Sequence, residues 1–377
     1  MKIIFICCSL EPNRDGVGDY TRMLASELQN RGNATAIIAL NDKFINVKYS
    51  GAQKSEGSDV AVLRMPSVYK IRRRIDEAKK YINEFDPDLL SLQFVIFGFH
   101  PKGLPFGIGK KIRMIGGGRT WHIMFHEIWI GITRLSPGRH KFYGYFQRQI
   151  IKSIINRLKP EFINTSNYLY QLILSENNIS AEILPLFSNI PITSFNIDLI
   201  SEIDEQLYFN LKSKKNHIIG VFGSLYVGVN LARAISEQLQ IAEKNGQQLI
   251  FLCIGRIGMA GMRELERLKE MFKGVFFFSP GELSPELVSI LLQVMDIGVS
   301  GTPSEHLGKS GAFAAMRHHG LNVIAPARNP LPEYDQQLGD YQKWLFERAP
   351  NEWGVGYIAA SFVNFISNIR HKKERIY

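Results

Sequence analysis

The stretch 304–316, "SEHLGKSGAFAAM", sets one ammonium group, Lys309, among the small residues Gly308, Ser310 and Gly311. A small-residue turn opening a helix leaves backbone N–H groups unpaired at the helix mouth, and a neighbouring cation adds a full positive charge. Such a site suits a phosphate. The nucleotide-binding phosphate loop also contains "GKS", but it needs a glycine five residues earlier, where this chain has Pro303. That loop is excluded. The helix-mouth reading stands beside a plainer one, a helix start with glycine for the turn and alanine for close packing. Other groups able to do chemistry recur along the chain: Gly16, Val17 and Gly18; His126 and Glu127; Gly223 and Ser224; Arg256; and Glu305.

These residues need elements to hold them, and the hydrophobic pattern supplies a regular set. "KIIFICC" is a continuous apolar run of the length of a buried parallel strand. A polar loop with Gly16 and Gly18 follows, then a helix from about Tyr20 to Arg31. "ATAIIAL", "DVAVLRM", "PDLLSLQF" and "TWHIMFHE", the last ending in polar residues, read as further strands, with a basic helix near 70–84 and an amphipathic helix at about 139–158. "EFINTS" and "AEILPL" continue the alternation. It restarts after the polar segment 201–215 with "HIIGVFGS", "QLIFLCIG", "GVFFFSP", "DIGVSGT" and "LNVIAP", each followed or preceded by a helical stretch. Strands alternating with helices imply doubly wound, mostly parallel sheets. The expected organisation is a domain over 1–195, a second over 196–350, and a final helical stretch, 351–377. Ligands of such sheets lie beyond the carboxyl ends of the strands, and each cluster named above follows a predicted strand. Residues 93–100 share that placement.

The chain has 377 residues, 45% hydrophobic and 21% charged, as in an ordinary globular protein. No apolar run approaches the roughly 18 residues of a membrane span, and the apolar start is too short for a secretory signal. A cytoplasmic location is expected. Cys7, Cys8 and Cys253 sit in apolar runs without metal spacing and read as buried, reduced thiols. The formal net charge of +10 is uneven: residues 1–185 hold 26 Lys and Arg against 16 Asp and Glu, while residues 186–377 hold 19 of each. The basic runs at 69–80, 109–119 and 139–159 carry much of this excess. One reading is peripheral docking on an anionic membrane face; the other is a core helix with a solvated basic face. No nucleic-acid module accompanies the charge, so nucleic acid is not expected as a partner.

Five blocks taken in order, "GVGDYTRMLASELQNRG" (16–32), "FHE" (125–127), "GVFGSLY" (220–226), "LCIGRIG" (252–258) and "GTPSEHLGKSGAFAAMRHHGLNVIAP" (301–326), resemble the GT-B glycosyltransferases. The resemblance is closest to the retaining, sugar-nucleotide-dependent glycosyltransferase family 4 and covers nearly the whole length. It implies two Rossmann-like α/β domains facing across a cleft, with a nucleotide diphosphate sugar as donor and a glycan, lipid-linked or small-molecule hydroxyl as acceptor. It implies no cofactor and no metal. The Gly16-Val17-Gly18 loop would lie under the reacting sugar and phosphate, His126 beside the transferred sugar with Glu127 next to it, and the final helix would return to the first domain.

The donor-side motif departs from the family pattern. Two glutamates eight residues apart usually precede the "AM" of the helix, and His306 and Ala314 stand there. Glu305, one residue from the first position, is the substitute for contacting sugar hydroxyls. The usual arginine after the first strand of the second domain is Ser224, and the lysine beyond it is missing around Val229 and Asn230. Lys309 and Arg256 are then the cations left for a diphosphate, with Ser310 and Gly311 at the helix mouth and Gly223 in the turn. The alternative is a non-catalytic nucleotide-sugar or glycan-binding protein of the same fold. A nicotinamide-dependent oxidoreductase would need a third glycine within 16–21, and that segment ends in Thr21.

Overall fold

The structure is a computed structural model. It describes residues 1–374 except Glu56, Leu135, Lys214, 226–228, 327–330 and Pro332, with side chains described up to residue 368. Tyr226, the last residue of the 220–226 motif, therefore lies outside the described residues. The chain divides into two compact units: Met1–Pro185 together with the segment from Val355 onward, and Leu186–Gly354.

The first unit is built on eight strands: β1 (Lys2–Cys7), β2 (Ala34–Asp42), β3 (Tyr49–Ser55), β4 (Ser58–Pro66), β5 (Leu89–Phe94), β6 (Thr120–Phe125), β7 (Phe162–Thr165) and β8 (Glu182–Ile183). Their order is β3-β4-β2-β1-β5-β6-β7-β8. All neighbours are parallel except β3, which runs antiparallel to β4. Ile3 to Cys7 are fully buried because helices cover both faces of a parallel sheet, so neither face of a central strand has room for a polar residue. The helix Val355–Glu374 belongs to this unit: Phe362 packs 6.0 Å, centroid to centroid, from Phe5.

The second unit has five parallel strands, β9 (Asn216–Phe222), β10 (Gln248–Ile254), β11 (Phe276–Gly281), β12 (Ile297–Val299) and β13 (Asn322–Ile324), in the order β11-β10-β9-β12-β13. Side chains alternate across a strand, and the core splits accordingly. Ile250, Leu252 and Ile254 pack with Leu291, Phe313 and Trp353, while Phe251 and Cys253 pack on the other face with Ile235 and Leu268. All three thiols are buried and unbridged. Burial raises the pKa of each, that of Cys253 to about 12, so they stay protonated.

Local boundaries differ from the sequence expectation where caps decide. The first helix runs Gly16–Asn30 and starts four residues before Tyr20, because Asp15 caps it. The helix expected after Gly308 instead begins at Gly311, preceded by a 3-10 turn, Ser304–Lys309. The polar segment 201–215 splits into a 3-10 turn, Ile197–Glu202, and a helix, Glu205–Lys212. Of the stripe on the helix Gly138–Leu158, Ile150, Ile154 and Leu158 are buried, whereas Phe142 is 63% exposed. No helix among the described residues is long and apolar enough to cross a membrane.

Candidate functional site

In the first unit the loop after β1 is tied down by carboxylates. Asp15 Oδ1 accepts from the amides of Val17 and Gly18, both at 3.0 Å, and Oδ2 accepts from the Ser9 hydroxyl. Asp19 pairs with Arg22, whose guanidinium also donates to Leu10 O at 3.0 Å. Buried Asp42 accepts from the Leu10 amide at 3.2 Å and from Arg64 Nε at 2.7 Å. This arrangement bears on the Gly16-Val17-Gly18 loop. The amides of Val17 and Gly18 at this helix mouth already hold an anion, the chain's own Asp15, and a phosphate there would meet two carboxylates. Gly18 is glycine for packing, since a Cβ would lie 2.5 Å from Ser9 O. A Cβ on Gly16 would meet nothing within 4 Å.

His126 follows β6 and is 7% exposed. Its ring lies edge-on to Tyr20, centroids 4.9 Å apart, so the first helix and the end of β6 meet at this histidine. Its Nε2 lies 2.9 Å from Gln93 Oε1. The Gln93 amide donates to Ser91 Oγ at 2.8 Å, and Ser91 Oγ lies 2.8 Å from His122 Nδ1. Burial lowers the pKa of both histidines to about 3, so both are neutral near pH 7. Glu127, half-buried, comes next in the chain. Gln93 opens the stretch 93–100 that the sequence places at a strand end, but no role was assigned to it there. Its signal was in the sequence: Ser91 and Gln93 are two polar residues two apart in a buried strand, and His122 and His126 share one face of the neighbouring strand.

In the second unit, three strand ends converge. Gly223 and Gly255 follow β9 and β10 with φ of 84° and 91°, a region that favours glycine. The Gly223 amide donates to Ile254 O and the Gly255 amide to Gly281 O, which aligns the turns side by side. A Cβ on Gly255 would lie 3.5 Å from Gly223 N, and one on Gly223 would lie 3.3 Å from the Ala312 Cβ. Bare backbone from two turns thus abuts the first turn of the helix Gly311–His318. The loop before that helix is locked by hydroxyls: Ser300 Oγ accepts from the Thr302 amide at 3.1 Å, and Thr302 Oγ1 lies 3.0 Å from Ser310 Oγ.

Ser310 Oγ accepts from the Phe313 amide at 3.2 Å, so this serine caps the helix. Its cap is neutral, unlike Asp15. Glu305, His306 and Lys309 stand on the 3-10 turn, half-buried. Arg256 pairs with Glu282 at 3.0 Å, both side chains about half exposed, so its charge already has a carboxylate beside it. Ser224 Oγ reaches Arg256 O at 3.4 Å. Ala314 is fully buried among Phe313, Ala315 and Met316, which leaves no room for a carboxylate at that place. Val229 is buried and Asn230 caps the helix Leu231–Lys244. The chain's one Asp-x-Asp triplet, Asp86-Pro87-Asp88, lies at the amino end of β5, away from the strand ends that bear the site. There Asp86 binds Arg119 at 2.8 Å and Asp88 accepts from the Lys2 amide at 2.8 Å.

The architecture has solved counterparts along its whole length. Anabaena HepE in complex with UDP and glucose aligns with a TM-score of 0.54 at 15% identity, covering 97% of this chain and 99% of that one. The α,α-trehalose 6-phosphate synthase of Burkholderia multivorans aligns at 0.53 and 10% identity, covering 100% and 98%. The chain has the GT-B fold. A third GT-B structure, the UDP-GlcNAc 2-epimerase of Neisseria meningitidis bound to UDP-GlcNAc, aligns at 0.50 and 12% identity, covering 98% and 100%. No family model and no curated relative matches the sequence.

Proposed function

We propose that this GT-B protein is a glycosyltransferase that moves a sugar from a nucleotide diphosphate sugar to a hydroxyl acceptor, with retention at the anomeric carbon, as the resemblance to family 4 implies. The observation that carries the proposal is the convergence of Gly223, Gly255 and the helix Gly311–His318 in the second unit. Bare backbone admits a ligand closely, and the helix mouth beside it carries a neutral cap. HepE and the epimerase, two proteins of this fold, were each crystallised with a UDP ligand, which supports a UDP-type donor.

Breaking the bond from the anomeric carbon to phosphate builds negative charge on the departing diphosphate. Fixed N–H groups and a cation stabilise that charge without reorganising. Lys309, with Ser310 and Gly311, has this role in the proposal. Arg256 assists only once it is drawn away from Glu282. Glu305 meets sugar hydroxyls. On the first unit the basic helices carry exposed Met114, Phe142 and Tyr145, and exposed Phe106 stands in the turn before one of them, which supports docking on an anionic membrane face where a lipid-linked acceptor would be found.

The test is a thermal-shift series with uridine, guanosine, adenosine and thymidine diphosphates. One of them raises the melting temperature, and Lys309→Ala abolishes the rise. In turnover assays the same substitution raises the barrier by about 2–4 kcal/mol. If no diphosphate stabilises the wild-type protein, the donor assignment fails. Binding without turnover would favour the non-catalytic alternative, which the pairing of Arg256 with Glu282 supports.

A further inference from the structure

One buried polar line runs through the apolar core of the first unit. Ser91, Gln93, His122 and His126 lie on one face of β5 and of β6 with its extension; none is more than 7% exposed. Gln93 Oε1 can only accept, so the proton in the 2.9 Å contact sits on His126 Nε2. The Gln93 amide then donates to Ser91 Oγ, and the Ser91 hydroxyl donates to His122 Nδ1. The direction is therefore uniform: each group donates to the next, from His126 through Gln93 and Ser91 to His122. His122 anchors the far end. It stacks on Phe162, centroids 4.4 Å apart, and meets the edge of Phe362 at 5.2 Å.

The line is expensive as architecture. His122 Nε2 and Oδ1 of the neighbouring Asn164 face each other at the buried end of the line in a contact too loose for a well-formed hydrogen bond. A half-satisfied buried network is less stable than an apolar core of the same shape. Its remaining effect is to hold the amide of Gln93 in one orientation, and with it the ring of His126.

We propose that Gln93 is a positioning residue that fixes His126 as the Nε2-protonated tautomer, leaving Nδ1 as the ring's only acceptor, so that His126 recognises a sugar hydroxyl and not a phosphate oxygen. The fixed tautomer stands on the geometry alone, whereas the hydroxyl contact rests on the function proposed above. A neutral ring with one lone pair attracts a donor such as O–H and repels an anionic oxygen.

The experiment uses the full-length protein labelled with 15N-histidine, with long-range proton–nitrogen correlation at neutral pH and the His126 signal assigned through His126→Asn. The wild type is expected to show one form, protonated at Nε2 and bare at Nδ1. Gln93→Leu removes the acceptor, and a population protonated at Nδ1 appears; Gln93→Glu keeps an acceptor oxygen and restores the original form. Gln93→Leu also weakens binding of a UDP-sugar by about tenfold while leaving UDP within twofold. A wild-type His126 protonated at Nδ1, or a Leu variant with an unchanged tautomer, overturns the proposal, and the wild-type spectrum decides even if the variants fail to fold. Equal weakening of UDP and UDP-sugar overturns the hydroxyl contact. If wild-type protein binds neither UDP nor UDP-sugar, the donor reading fails while the tautomer result still judges Gln93.

Discussion

The two units place a helix mouth at the carboxyl end of a parallel sheet in the same way and then treat it oppositely. In the first, Asp15 fills the mouth with a carboxylate that takes two backbone amides. In the second, Ser310 caps with a neutral hydroxyl and takes one. Topology alone therefore does not make an anion site. One cap residue sets whether the positive end of the helix is spent internally or remains for a ligand.

Acid acts most strongly on the first unit, while burial also holds His318 and His319 of the second below the usual histidine value. His122 and His126 have folded pKa values near 3, well below the usual 6.5, so between those values the unfolded chain binds protons that the folded chain refuses. Stability is complete above about pH 6.5 and falls as pH drops toward 3, by about 1.4 kcal/mol per pH unit for each histidine. Segment-resolved hydrogen exchange, corrected for its intrinsic pH dependence, should show the first unit opening on acidification and His122→Gln reducing the slope. An unchanged first unit at about pH 4.5 would contradict the buried neutral ladder.

Exchanging the caps tests the comparison directly. Ser310→Asp still caps the helix but sets a carboxylate at the mouth, and nucleoside diphosphate binding by calorimetry should fall about 100-fold, or about 3 kcal/mol. Asp15→Ser should cost about 1 kcal/mol of stability and leave that binding unchanged. The reverse outcome would move the phosphate to the first unit.

The glycines sharpen it further. Gly18→Ala forces a Cβ against Ser9 O and should destabilise by about 1–3 kcal/mol in denaturant titration. Gly16→Ala has open space in the first helical turn and should stay within about 0.5 kcal/mol. Loss of activity in Gly16→Ala at unchanged stability would show a ligand approaching there after all.

Much of the fold was legible because buried parallel strands are continuous apolar runs, as in "KIIFICC" and "QLIFLCI". Strand β3, "YSGAQKS", was not: it is an exposed edge whose pairing with β4 imposes no hydrophobic period. The helix Ile108–Gly116 was read only as a basic run, since it is short and bounded by glycines in left-handed conformations. The clusters at the strand ends were found from position. Their electrostatic sense was not, because Asp15 and Ser310 are both good caps in sequence and only the amides they engage tell them apart. The pairing of Arg256 with Glu282 likewise joins residues 26 positions apart that no local pattern links.

The placement of Phe362 against Phe5 and His122 bears on synthesis. Residues 186–354 are contiguous and can close their own core while still tethered to the ribosome, whereas the unit begun first is completed last. Until residues near 366 emerge, the earliest-made strands have an uncovered apolar face for the whole remaining period of translation. A nascent chain stalled short of that point would be a natural client for a holdase chaperone.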